Sequence, residues 1–125
     1  MKISIREPGS AITHYIGMLL SLFAAAPLLV KAQNSQMPSA ITSMGIFILA
    51  MILLYASSSI YHAVNVKDKV LKIFRKLDHS MIFILIAGTY TPVCMLVLGG
   101  KMGMYLLALV WGIAIGGIFL KVCWI

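Results

Sequence analysis

The polar residues of this chain are confined to a few short stretches, and apolar residues fill what lies between them. No Asp, Glu, Lys or Arg occurs between Glu7 and Lys31, between Lys31 and Lys67, between Asp78 and Lys101, or between Lys101 and Lys121. A helix that crosses a bilayer needs about 20 mostly apolar residues. In lipid such a run satisfies its own backbone hydrogen bonds only as a helix. The pattern therefore predicts four membrane spans, near residues 12–30, 40–62, 79–98 and 103–123. The first run is long and holds Pro27, so it reads as a retained helix and not a signal peptide. Pro27 and Pro92 predict kinks in spans one and three.

Between spans two and three the period changes. At 100° per residue, Val66, Val70, Ile73, Phe74 and Leu77 share one side of segment 64–77. Asp68, Lys69, Lys72, Arg75 and Lys76 share the other, with Lys67 near the boundary and Leu71 off the pattern. Two arrangements fit. One is a short helix lying in the inner interface with its lysines towards anionic headgroups. The other is a helical extension of span three with snorkelling lysines.

Composition excludes a soluble domain: of 125 residues, 62% are hydrophobic and 10% charged, too few to build a polar surface. The fold class is all-α, a polytopic membrane bundle in a single domain, 1–125. Its formal net charge of +7 has a topological origin. Lys2 and Arg6 precede span one, and Lys67, Lys69, Lys72, Arg75 and Lys76 crowd the second loop, whereas Lys31 and Lys101 stand alone in the first and third. The positive-inside rule places the N-terminus and segment 64–77 in the cytoplasm. A basic cluster this short, tethered at a membrane face, does not point to nucleic acid. Gly112 and Gly116 form a GxxxG in span four, and Ser39 and Ser43 a small-xxx-small pair in span two; both are assigned to packing. Cys94 lies about 24 Å along the helix from Asp78, in the opposite leaflet from Cys123, so the two cannot pair and are read as buried thiols. The nine methionines show no metal-box spacing.

The chemistry-bearing residues gather at the span ends. His14 begins span one, "SSSIYH" (57–62) closes span two, and Asp78 and His79 open span three. With the topology above they all converge on the cytoplasmic end. Ser58 lies one turn deeper than His62 on the same helix face. Ionisable groups at membrane depth are costly and usually face a bundle interior. His14 and His79 taken singly also fit as wetted interfacial residues. The Ser58–His62 spacing is compatible with a nucleophile and its base, or with a serine bonding its own backbone beside a structural histidine.

Taken with "LDHSMIFILIAGTYTP" (77–92) across the basic loop, "SSSIYH" resembles the haemolysin III family of bacterial membrane proteins, over the whole chain. That family is related to the progestin and adipoQ receptors and, more distantly, to the alkaline ceramidases. The receptors open with Glu-x-x-Asn-x-Trp-x-His; here Glu7 and His14 match, while Ser10 and Ile12 replace the Asn and Trp. The resemblance implies the first four spans of a seven-helix fold and a zinc site at the cytoplasmic end. His62 would be the first zinc ligand, Asp78 the general base or holder of the reacting water, and Ser58 a support for site or substrate. The expected activity is hydrolysis of a membrane lipid in the bacterial cytoplasmic membrane, the alternatives being a pore-forming or cytolytic protein and a receptor-like one. The family's other two ligands come from a seventh-span His-x-x-x-His, and no such pair occurs here. The chain is thus expected to be a truncated product or fragment with half a site, to hold little zinc alone, and to self-associate or require the C-terminal helices.

The topology is testable by labelling. In a Lys72→Cys variant, impermeant thiol reagent is expected to react only after the cells are opened, and reaction in intact cells would overturn the orientation.

Overall fold

In the computed structural model, residues 4–124 are described; Lys2, counted above among the N-terminal basic residues, lies outside them. Four helices long and apolar enough to cross a membrane make up almost all of the chain. Helix α1 spans Pro8–Asn34, with proline in its first turn, where a missing N–H costs nothing. Pro27 sits inside it without ending it. Helix α2 spans Ala40–Ala63. After a non-helical link over residues 64–67, α3 runs unbroken over Asp68–Pro92. Residues 68–77 are therefore its first turns. Their apolar side, with Val70, Ile73 and Leu77, is exposed, while Phe74 and Arg75 are half-buried.

At Pro92 the α-helical geometry gives way to a π-helical turn, Val93–Leu98. Proline cannot donate to the carbonyl one turn back, and a π-turn is one way a helix absorbs that loss. Gly99 and Gly100 then take φ values of 64° and 58°, in the left-handed region that glycine enters freely. They reverse the chain directly into α4, Gly100–Trp124.

Each helix packs only against its neighbours in sequence: α1 on α2, α2 on α3, and α3 with its π-turn on α4. The described residues form an open row of antiparallel helices. Glycines set the close approaches. A Cβ at Gly17 would meet the Tyr55 ring at 2.8 Å, one at Gly88 the Ala50 side chain at 2.8 Å, and one at Gly117 the Phe83 ring at 2.4 Å. Trp111 Nε1 donates to Thr91 Oγ1 at 3.0 Å, fastening α4 to α3. The Gly112–Gly116 face is left open among the described residues. Nothing lies within 4 Å of a Cβ at either position, and the neighbouring register, at Gly117, carries the contact.

This contrast gives a prediction. A Cβ at Gly103 would meet the Cys94 carbonyl oxygen at 2.2 Å, a backbone atom that cannot swing aside. Gly103→Ala is expected to destabilise the chain by about 1–3 kcal/mol. Gly112→Ala is expected to be neutral, or to stabilise by up to ~1 kcal/mol through helix propensity. Thermal unfolding of both variants in detergent checks this, and a harmful Gly112→Ala would show that this face is already occupied.

Candidate functional site

Helix α2 ends with four carbonyls, those of Tyr61, His62, Ala63 and Val64, that have no partner within the helix. Two residues satisfy all of them. The Arg6 N–H donates to Ala63 O at 3.3 Å and the Glu7 N–H to His62 O at 2.8 Å. The Arg6 guanidinium donates to Tyr61 O at 2.5 Å and to Val64 O at 3.3 Å. It also lies 4.6 Å from the centroid of the Tyr61 ring, and its charge faces the negative end of the helix dipole. The segment before α1 is thereby fastened across the end of α2.

That fastening delivers a carboxylate to His62. Glu7 Oε1 lies 3.0 Å from His62 Nδ1 and 2.6 Å from Arg6 Nη1. The Glu7 carboxyl is held below its ordinary value, chiefly by the hydrogen bond from His62 and further by the Arg6 charge, against some desolvation. Because α1 starts at Pro8 and runs antiparallel to α2, His14 arrives beside Ser58, and His14 Nδ1 and Ser58 Oγ share a short hydrogen bond. The His14 ring stands edge-on to Tyr55, and to His62 with centroids 5.3 Å apart and planes at 78°. Ser58 is buried, at 4% exposure.

The hydrogen-bonded serine–histidine pair is therefore Ser58 with His14, across two helices. Neither arrangement read from the Ser58–His62 spacing forms: the cap draws His62 to Glu7, and His14 takes the Ser58 hydroxyl. On α3, Arg75 Nε donates to Tyr61 Oη at 3.0 Å. In that antiparallel register, three residues deeper on each helix, Asp78 is level with Ser58. Asp78 is buried, and among the described residues no ion pair or hydrogen bond joins it to His62. His79 Nδ1 is buried with no hydrogen-bond partner among the described residues. Of the cysteines, Cys94 is a buried thiol as expected, whereas Cys123 is exposed at the end of α4.

Among the described residues no three His, Cys, Asp or Glu side chains stand close enough to hold a metal ion. His62 alone fits the part of one ligand, a half-buried imidazole with one nitrogen engaged by a carboxylate, as metal-ligating histidines usually are. Glu7 was the residue whose role the sequence hid. It was visible as one of three acidic residues, two helical turns before His14, and as the Glu of the receptors' opening motif, with no partner assigned to it.

Comparison with known proteins adds a family. Residues 3–125 match the family described as haemolysin-III related. The chain is 43% identical over 116 residues to Hemolysin-3 of Bacillus cereus, an alignment covering 93% of this chain and 52% of that protein. It is 45% identical over 116 residues to the Hemolysin-3 homolog of Bacillus subtilis (strain 168), covering 93% of this chain and 54% of the relative. The chain thus spans about half the length of the curated relatives it matches. No solved structure matches it.

The lowered Glu7 carboxyl fixes the sign of one acid effect. Unfolded, Glu7 titrates at its ordinary value of 4.5; folded, it titrates lower. Between the two values the unfolded chain binds more protons, so this contribution is present above the ordinary value and is lost as pH falls through the folded one. Glu7→Gln is expected to flatten the acid limb of a plot of melting temperature against pH. An unchanged limb would show that the Glu7 carboxyl does not carry the acid sensitivity.

Proposed function

The chain belongs to the haemolysin-III related family of integral membrane proteins, and from that premise we propose that it carries the N-terminal part of a zinc-dependent hydrolase of membrane lipids. The observation that carries the proposal is the constellation Glu7–His62–His14–Ser58, assembled from two helices at one end of the row. By the basic-residue topology that end lies at the inner leaflet of the bacterial cytoplasmic membrane.

The roles follow from the chemistry of each group. His62 supplies one imidazole to the metal, and the remaining donors come from outside these four helices. Zinc, when bound, polarises a carbonyl oxygen and lowers the pKa of water. Asp78, level with Ser58, accepts a proton from the attacking water. Ser58, its hydroxyl held by His14, positions the substrate. An apolar cleft of about 340 Å³ lies at the same end of α1 and α2, on a neighbouring face, lined in part by Ile5, Ile12, Tyr15 and Ile60. Its apolar lining suits an acyl chain, which supports a lipid substrate. The buried, unpartnered His79 Nδ1 supports a second feature: the inner end is built to receive a polar group that these helices do not provide.

The test is elemental analysis after co-expression with the C-terminal half of a related protein. The chain alone is expected to hold little zinc, and the supplemented protein about one per molecule. His62→Ala is expected to abolish binding. Asp78→Ala should keep most of the metal and lose lipid hydrolysis, because it acts on the proton and not as a ligand. Ser58→Ala should have the mildest effect. Undiminished zinc in His62→Ala overturns the assignment.

A further inference from the structure

We infer that Glu7, anchored by Arg6, is a positioning residue that holds His62 as the tautomer with its proton on Nδ1 and its lone pair on Nε2. The role rests on the reading of His62 as a metal ligand; the geometry beneath it does not.

A carboxylate only accepts hydrogen bonds, and a neutral imidazole carries one N–H. Glu7 Oε1 lies 3.0 Å from Nδ1, so Nδ1 is the nitrogen that bears the proton. Nε2, on the other side of the ring, is left with an in-plane lone pair. The contact is also reciprocal: the Glu7 N–H donates to the His62 carbonyl at 2.8 Å while the His62 ring donates back to the Glu7 side chain. Two hydrogen bonds between the same two residues close a ring, and the imidazole cannot flip without opening it. Among the described residues no second acceptor is bonded to Nδ1. The His14 ring meets His62 edge-on, Tyr61 presents a tilted ring at 4.9 Å, and Arg6 is a donor bound to Glu7 at 2.6 Å.

A purely structural role for the Glu7 side chain does not account for this arrangement. The end of α2 is satisfied by the backbone N–H groups of residues 6 and 7 and by the Arg6 guanidinium. None of those bonds uses the Glu7 carboxylate. What that carboxylate adds, besides its ion pair with Arg6, is the orientation and proton placement of one imidazole, and outer-shell partners are what fix tautomer and ring orientation in metal-binding histidines.

The experiment is nitrogen-15 NMR of the full chain in detergent micelles at neutral pH, with labelled histidine rings and the three histidines assigned by single substitution. In the wild type, His62 is expected to show the signature of the Nδ1–H tautomer. In Glu7→Gln, whose carboxamide can either accept or donate, it is expected to become a mixture, and in Glu7→Ala to lose the preference. The His14 signal, held by Ser58, should stay constant in all three and so report that α1 and α2 remain packed. A wild-type His62 with its proton on Nε2, or an Nδ1–H signature unchanged in both variants, overturns the inference. No metal is needed for this measurement. A failed zinc test therefore leaves the proton placement standing, and a failed tautomer test leaves the zinc test to be decided on its own.

Discussion

Everything at the candidate site depends on how the end of α2 is closed. A helix that stops inside or at the edge of a membrane leaves four carbonyls without partners, each costing about 1–3 kcal/mol if buried and unpaired. Arg6-Glu7-Pro8 closes all four in three residues. Arg6 and Glu7 supply backbone N–H groups, Arg6 adds its guanidinium, and Pro8, which has no N–H, starts α1. Because the same residues both end α2 and begin α1, the register between the helices follows from the cap. Glu7 lies against His62, His14 falls beside Ser58, and Gly17 beside Tyr55.

The rest of the row repeats one solution three times. In lipid, apolar side chains gain little by leaving tails for one another, so helices associate through close backbone approach and polar contacts. Each interface has one glycine and one polar pair: Gly17 with His14–Ser58 between α1 and α2, Gly88 with Arg75–Tyr61 between α2 and α3, and Gly117 with Trp111–Thr91 between α3 and α4. Pairs of this kind are worth about 0.6–2 kcal/mol in membranes. The antiparallel register they impose sets Asp78 level with Ser58 without any bond between them.

The helices were legible because charge is so rare that its gaps measure the bilayer. Their starts were less so: α1 begins at Pro8 and α3 at Asp68, each ahead of the apolar run it carries, since polar residues at an interface continue a helix without interrupting it. Ser58, His62 and Asp78 were legible as complementary groups at span ends. Their partners were not. Spacing along one helix favoured Ser58 with His62, and only the antiparallel register brings His14 to Ser58 from 44 residues away. The Gly112–Gly116 pair, whose face stays open here, has a similar limit. Small-residue spacing marks a face that can approach another helix, but not which register is used, and here Gly117 is the contact.

Depth along the helices bears on the choice between chemistry and conduction. Hydroxyls far from the site are bonded to their own helices: Ser21 donates to Gly17 O, Ser43 to Ala40 O and Thr91 to Ala87 O. Bonded this way they are compatible with an apolar surround and offer no line of polar groups of the sort that conducting pores require. The ionisable groups behave otherwise. Arg6, Glu7, His14, His62, Arg75, Asp78 and His79 all lie within a few turns of one end, and several engage one another across helices. The ester and amide bonds of membrane lipids also lie at the boundary between headgroup and tail. A catalyst for those bonds has reason to gather its titratable groups at that one level and keep the middle of its helices apolar, whereas a conduit needs polar groups through the full thickness. In these four helices the distribution is of the first kind, which supports the proposed reading.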